Sequence, residues 1–460
     1  MASSFGSINT ALTSLYAQRR GLDVTGQNIA NANTEGYTRQ RVEMQSQVGS
    51  ISPALWATTD GIGTGVAVSD VQRLRDEYLE NRGRAEHANS AYLTTQAATY
   101  SSIEDTFGEP ADTALQAQLG DMWDAWSDVA NNPKDGAARS ALLEQSATVA
   151  DGLNSAHASL AGQWDANRTQ LSAHLDDINT TAATVAQLNE SIVHAKATGG
   201  TVNELEDRRD LAVMHLCELT GATASKRQNG AMDVFVGNST LVSESTTRNL
   251  EVSGATRIDD QNTDPMTLRW ADTKTVVKAG GTIGAIADTM TTILPQISAA
   301  LDEIATKLAD TVNAAHFAGY SADGSSGLNL FSGTTAGTIK VAITDPDQVA
   351  TSSAPATLDQ SVADTLADAG NSTTGPDADY RAMIGQLGVA AQASTRRHDI
   401  QTNVTEQVDA ARESASGVNL DEEMTHLLTY QRGYEAASRV LTTIDSMLDQ
   451  LINRTGLVGR

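Results

Sequence analysis

The sequence has a single cysteine, Cys217, in 460 residues. An intrachain disulfide is excluded, and so is a zinc site built on cysteine. Cys217 lies in LAVMHLCEL on an apolar helical face, where a packed structural thiol is expected rather than a nucleophile. Aromatic residues make up only 4% of the chain while Ala, Ser and Thr are abundant, which favours slim helices in close contact. No apolar run reaches the ~20 residues needed to cross a bilayer. The opening MASSFGSINTALTSL lacks the basic-then-apolar order of a cleaved secretory signal, and by itself this reads as cytoplasmic. Positive charge is short as well, with a net formal charge of −26. Residues 1–45 hold four Arg against three acids and residues 421–460 four Arg against six, so nearly all the excess falls between them. So acidic a body argues against nucleic acid and anionic membrane as partners.

Signatures of chemistry are also missing. The eight histidines form no HExxH or other ligand pair at helical spacing. There is no Walker-type phosphate loop and no GxSxG nucleophile turn. GIGTGVAV (61–68) lacks the third-glycine spacing of a dinucleotide fingerprint and reads as a turn into a short strand. GYSADGSSG (319–327) lacks the alternating acids and distant Glu of a calcium loop. Carboxylates are plentiful, so counting alone does not exclude a glycosidase-like pair, but most lie opposite apolar helical stripes, where solvation is their default role. No catalytic, cofactor-binding or metal-binding residue is assigned.

What the chain does have is period. Leu420, Leu427, Tyr434, Leu441 and Leu448 recur at intervals of seven, with Met424, Tyr430, Ala437, Ile444, Leu451 and Ile452 at offsets of three or four. This spacing predicts a helix of about nine turns carrying one apolar seam that seeks another helix. Asn419 or Ser416 caps its start, and Asp421, Glu422 and Glu423 suit the positive end of the helix dipole. Ile8, Leu15, Leu22 and Ile29 also fall seven apart, with Ala11, Leu12 and Ala30 beside them. The two ends are therefore expected to pair, and to order fully only when copies stack. An ordinary intramolecular helical hairpin is the competing reading of the same spacing.

Between the ends, Asn31, Asn33, Thr34 and Gly36 mark a turn, and residues 40–70 read as extended. Ser69 with Gln72 suggests a capping box opening a helix from Val71 to Phe107. Helical patterns follow at about 111–130 and 137–197, the latter with Trp164, Leu171, Ile178, Val185 and Ile192 seven apart. Gly199 and Gly200 stop it, and NELEDRRDLAVMHLCELTG carries one more helix. Alternating apolar residues around Gly237-Asn238, then NLEVSG, MTLRWAD and TKTVVKAG, predict short strands. Helical period returns from Met290 to Ala318, where Pro295 kinks the helix or begins its straight part.

The expected organisation is an N-terminal assembly helix and turn (1–45), a helical body (46–221), an inserted β-rich domain (222–282), a helical return (283–335), a small β and loop excursion (336–377), a last body helix (378–417) and a C-terminal assembly helix (418–460). The fold class is mainly α with a β insertion, the terminal helices paired as a coiled coil on a long helical bundle. The candidate assembly surface is Ile8, Leu12, Leu15, Leu22 and Ile29 with Leu420, Met424, Leu427, Tyr434, Leu441, Ile444, Leu448 and Leu451.

The opening LDVTGQNIANANTEGYTRQR, with Asn31, Asn33, Thr34, Gly36 and Tyr37, resembles the flagellar hook-associated protein 1 family. So does the closing SGVNLDEEMTHLLTYQRGYEAASRVLTTIDSMLDQL, with Ser416, Gly417, Val418, Asn419, Leu420, Asp421, Glu422 and Glu423. NELEDRRDL (203–211) and VNAAHFAGYSADGSSGLNLF (312–331) resemble interior segments of the same family. Rod and hook proteins share similar ends, but the long helical stretch 71–215 favours the junction protein over those relatives. Glu35 stands where the family often has Pro, and the tail NRTGLVGR extends past the usual end.

The resemblance implies a non-enzymatic subunit of an extracellular tube, exported through the flagellar type III path without a cleaved signal. Its implied partners are copies of itself, the hook protein, the second junction protein (hook-associated protein 3) and an export chaperone holding the C-terminal helix. The alternatives weighed are another axial flagellar protein, of hook or rod type or the second junction protein, and a cell-wall hydrolase using carboxylates of residues 319–380.

Overall fold

A computed structural model describes residues 4–47, 63–355, 357 and 359–453. Helix α1 (Ser4–Ala30) leads through the turn at 31–36 into an antiparallel hairpin, β1 (Gln40–Gln47) with β2 (Gly65–Arg73). Gly61 and Ile62 of the glycine-rich segment lie outside the described residues, and Gly65 onward forms the strand expected there. The predicted helix start at Val71 is displaced. Val66, Val68 and Val71 alternate along β2 against α1, and α2 (Glu77–Phe107) begins only after Asp76, whose carboxylate caps Tyr78 and Leu79 N–H. Ser69 and Gln72 therefore belong to a strand rather than to a capping box. Gly108, at φ 59°, ends α2 in the left-handed conformation that glycine favours.

Helices α3 (Leu115–Asn131), α4 (Gly136–Ala197) and α5 (Asn203–Thr220) complete the first half of the body. In α4 the seven-spaced Trp164, Leu171, Ile178, Val185 and Ile192 are all fully buried. The β insertion is a four-stranded antiparallel meander, β3 (Thr223–Lys226), β4 (Met232–Val236), β5 (Ser239–Ser243) and β6 (Thr246–Thr247), followed by the pair β7 (Leu250–Ser253) and β8 (Thr267–Trp270). The TKTVVKAG segment contributes only a bridge, Val276 to Arg269. Helix α6 (Gly281–Asp288) runs through a π turn at Thr289–Ile293 into α7 (Leu294–Ala318), with Pro295 in the first turn of the straight part.

Short strands β9 (Tyr320–Ser321), β10 (Phe331–Ser332), β11 (Lys340–Val341) and β12 (Ala350–Ser352) follow. Helix α8 (Ser361–Ala369) then appears where only loops and a strand were expected. Val362, Ala363 and Leu366 form its single buried face, and Gly370 just beyond lies so close to Trp123 of α3 that an added Cβ would come within 2.6 Å of the indole. Helices α9 (Pro376–Ser416) and α10 (Leu420–Asn453) close the chain.

One continuous apolar cluster runs from Ile103 to Leu387 through α3, α4, α7 and the insertion, and includes no residue of α1, β1, β2 or α10. Cys217 is inside it, and burial pushes its thiol up to about 12, so it does not form a thiolate near neutrality.

The strands are tied to the helices by one repeated device. A buried or half-buried Asn on a helix donates Nδ2–H to the carbonyl, and accepts the N–H, of a single strand or loop residue. Asn189 does this to Met232 (2.8 and 2.9 Å), Asn179 to Leu250 (3.1 and 2.9 Å), Asn313 to Phe331 (2.9 and 2.9 Å) and Asn28 to Gln40 (2.8 and 3.0 Å). Each amide satisfies a backbone N–H and C=O that no neighbouring strand reaches. Asn313 and His316 thus explain the singled-out segment 312–331. The His316 ring donates from Nδ1 to the Leu328 carbonyl (2.7 Å) and accepts at Nε2 from Ala350 N–H (3.0 Å), and burial holds its pKa below the usual range. Asn189→Leu leaves two buried backbone groups of Met232 without partners. It should cost about 1–3 kcal/mol by chemical denaturation, against little for a leucine at the exposed Asn403.

Candidate assembly interface

The two ends pair within one chain, α1 lying along α10. The closest approach is made by small residues. An added Cβ at Gly21 would meet the Tyr430 ring at 2.7 Å, and one at Gly433 would meet the Gln18 amide at 2.8 Å. The buried residues of α1 are Ala11, Ala17, Gly21, Val24, Thr25 and Asn28, so the helices touch along a slim face rather than along the row of large residues. Ile8, Leu15, Leu22 and Ile29 are half-buried beside that face, and Leu12 is exposed.

On α10, Leu427, Leu441, Ile444 and Leu448 are half-buried, and so is Tyr430, whose ring lies over Gly21. Leu420 (50%), Met424 (51%), Tyr434 (41%) and Leu451 (55%) remain exposed, as do Leu428 and Met447. The single predicted seam is therefore only partly covered: Leu420 and Tyr434 stay open in the same seven-spaced row in which Leu427, Leu441 and Leu448 are half-buried, an unusual load of exposed apolar side chains for one helix.

The base of the pair is held by charge. Arg39, just after the opening motif, reaches Glu422 and Glu423 at 2.7 Å each, while Asn28 donates to Glu423 at 3.1 Å. Tyr37 donates its hydroxyl to Asn28 (2.8 Å), and Arg39 N–H donates to the Ser416 carbonyl (3.0 Å). Glu423 is buried, and of the three acids expected to serve the helix dipole, Glu422 and Glu423 are ion-paired across the chain's two ends. Asn419, as predicted, caps α10 by accepting from Asp421 and Glu422 N–H.

The segment NELEDRRDL grips the same region from the body. Arg73 at the end of β2 reaches Glu206 (2.6 Å), Asp207 (2.7 Å) and Asp210 (3.0 Å), all four side chains being nearly buried. Arg75 bridges Asp210 and Glu80, and Arg412 of α9 also reaches Glu80 (3.0 Å). Asn203 donates to Val71 O (2.8 Å) and Gln40 Oε1 (3.1 Å), and Thr38 N–H donates to Asp207 (3.3 Å). The opening, interior and closing motifs, hundreds of residues apart in sequence, thus converge on one ionic anchor.

The titrations follow from this placement. Burial favours neutral carboxyls, yet Arg75, Arg209 and Arg73 hold Asp210 below its usual value. Glu206 is likewise depressed, burial being outweighed by Lys196, Arg73 and Lys226, and Glu80 by Arg75 and Arg412. Arg73 is raised in turn: burial lowers it, and Asp210, Glu206 and Asp207 more than compensate. Tyr37 is pushed well up by burial, with Asp207, Glu423 and Glu204 adding to the effect. Among the described residues no cluster of His, Cys, Asp or Glu is arranged to hold a metal. The carboxylate of Asp323, in the acidic loop 319–327, accepts from Ser321 and Ser325.

A paired-end subunit with a helical body and a β insertion is the architecture of an axial structural protein, and known sequences carry the same division. The flagellar hook-associated protein FlgK helical domain matches residues 100–331. The ends match rod families, with the flagella basal body rod protein at residues 8–38 and the C-terminal model of the rod proteins FlgEFG at 411–454. The chain is 28% identical to flagellar hook-associated protein 1 of Bacillus subtilis, over 100% of both chains. It is 25% identical to that of Salmonella typhimurium over 97% of this chain and 99% of the relative. The hook junction protein FlgK of Burkholderia pseudomallei, 16% identical, superposes with a TM-score of 0.64 over 73% of this chain and 100% of that one, which shows the shared fold. The chain belongs to the flagellar hook-associated protein FlgK family and is a structural junction component of the flagellum. Among the described residues, no helix is long and apolar enough to cross a membrane.

Proposed function

We propose that the chain joins hook to filament by laying its terminal pair against the pairs of neighbouring copies, so that the apolar residues α10 leaves open are covered only in the assembled tube. The observation that carries this reading is that exposure: Leu420, Met424 and Tyr434 are each more than two-fifths exposed, although Leu427 and Leu441 of the same row are half-buried. Its further partners are the hook protein on one side and the second junction protein (hook-associated protein 3) on the other. An export chaperone covers the C-terminal helix during passage through the type III path, since an open apolar stripe invites aggregation. The role is mechanical rather than enzymatic; of the carboxylates in the 319–380 region, Asp323 and Asp359 are engaged by serine hydroxyls of their own loops.

Replacing the exposed Met424 and Tyr434 by Asp tests the reading. Incorporation into flagella and filament growth should be lost, while the thermal melt of the body is unchanged because neither residue belongs to the main apolar cluster. Normal filaments from the double variant would remove the terminal seam as the assembly surface.

A further inference from the structure

Two clefts flank the ionic anchor and share a wall of Arg75, Glu80 and Asp210. Their charges differ in sign. The first, about 750 Å³, gathers Arg20 and Arg84 with the ion-paired Arg73, Arg75, Lys196 and Lys226, cations that outnumber its acids Asp70, Glu77, Glu80, Glu206 and Asp210. This is a concentration of cations in a chain whose net charge is −26. The second, about 730 Å³, is rimmed by Glu35, Asp207, Glu218, Asp409 and Glu413.

Within the basic cleft Arg84 is only 6% exposed and makes no ion pair, although Asp210 and Glu80 lie near enough to favour its charge. Its Nη1 donates to Asn81 (2.9 Å) and its buried Nε has no partner. A buried guanidinium without an anion is costly, and the cleft is the side from which an anion can arrive. Arg20, at the rim on α1, is exposed and has no ion-pair partner among the described residues. On the other flank Glu35 stands at the tip of the exposed turn 33–36, also without a partner among the described residues.

We propose that these flanks are the two halves of a contact between adjacent copies of the chain, the Glu35 turn of one entering the basic cleft of the next toward Arg20 and Arg84. This inference rests on the chain assembling side by side. The two patches differ, so the contact is heterologous and propagates around a ring rather than closing as a dimer. It also relieves a cost of assembly, since it sets acid against base where bodies of high negative charge must crowd together.

The test uses flagella isolated from cells in which a variant replaces the parent chain. Cys217 is fully buried, so E35C/R20C introduces the only accessible thiols among the described residues. A short bismaleimide should convert the incorporated double variant into a ladder of multimers, with neither single variant doing so. A double variant present in flagella that stays monomeric overturns the contact and leaves the junction reading standing. A parent chain absent from those flagella overturns the junction reading itself. Charge reversal gives a second arm. E35K and R20E should each lower incorporation by about tenfold, and E35K/R20E in one chain should restore it because both faces are then reversed together. Failure of the pair to restore what each single variant loses overturns the proposal.

Discussion

Replacing Arg73 by Met is expected to cost about 3–5 kcal/mol and to free the terminal pair from the body, because it leaves Glu206, Asp207 and Asp210 around a missing cation in a nearly water-free site. Chemical denaturation at neutral pH gives the size of the loss. Hydrogen exchange gives its place, since residues 4–47 and 420–453 lie outside the apolar cluster and should lose protection before the body does. The acid dependence has a definite sign. Glu80, Glu206 and Asp210 are depressed in the folded chain. Their contribution is therefore complete above their unfolded values of 4.5, 4.5 and 3.8, and it fades as pH falls through the folded values. Arg73→Met weakens the depression of Glu206 and Asp210, so the gap between variant and parent should be widest above about pH 5 and narrow on acidification. A gap that stays constant from pH 7 to pH 4 would mean the loss is one of packing and not of charge.

Two glycines of α1 should respond in opposite directions to the same substitution. Gly26 has nothing within 4 Å of an added Cβ, so Gly26→Ala should stabilise the terminal pair by roughly 0.5–1 kcal/mol through helix propensity alone. At Gly21 the same methyl would lie 2.7 Å from the Tyr430 ring. The propensity gain is there overridden by a collision worth about 1–3 kcal/mol, and α10 must lift away. Gly21→Ala should therefore lower the melting temperature of the pair and reduce incorporation into flagella. Adding Tyr430→Ala should recover part of the loss, a coupling that a double-mutant cycle measures directly. Equal effects at Gly21 and Gly26 would show that the helices do not cross where the structure brings them together.

The long-period elements were legible in the sequence because apolar spacing alone determines them. Trp164 to Ile192 fall every seventh position and every one of them is buried. The pairing of the chain's ends was legible for the same reason. What spacing misreads is which residues touch. Large side chains dominate a periodicity, so Leu12 and Leu22 stood out, whereas the buried face of α1 is made by Ala17, Gly21 and Val24. A glycine in mid-helix, which lowers helix stability unless something needs its missing side chain, was the available signal. The anchor was harder still. Arg39, Arg73, Glu206 and Glu422 each read locally as ordinary solvated charges, and only the fold brings residues separated by 133 to 384 positions within bonding distance. Helix α8 was hidden because its apolar face is three residues wide in a Ser-, Thr- and Asp-rich stretch.

The unbroken length of α4 has a mechanical consequence. Its 62 residues span about 93 Å with no proline in the run, and its last turn is pinned through Lys196 to Glu206, the same carboxylate that holds Arg73. A twist delivered to that end thus finds no proline hinge before it reaches the other end of the helix at Gly136. The helix is therefore a stiff strut, and a load applied at one end is carried along its length rather than absorbed as a bend at an internal break.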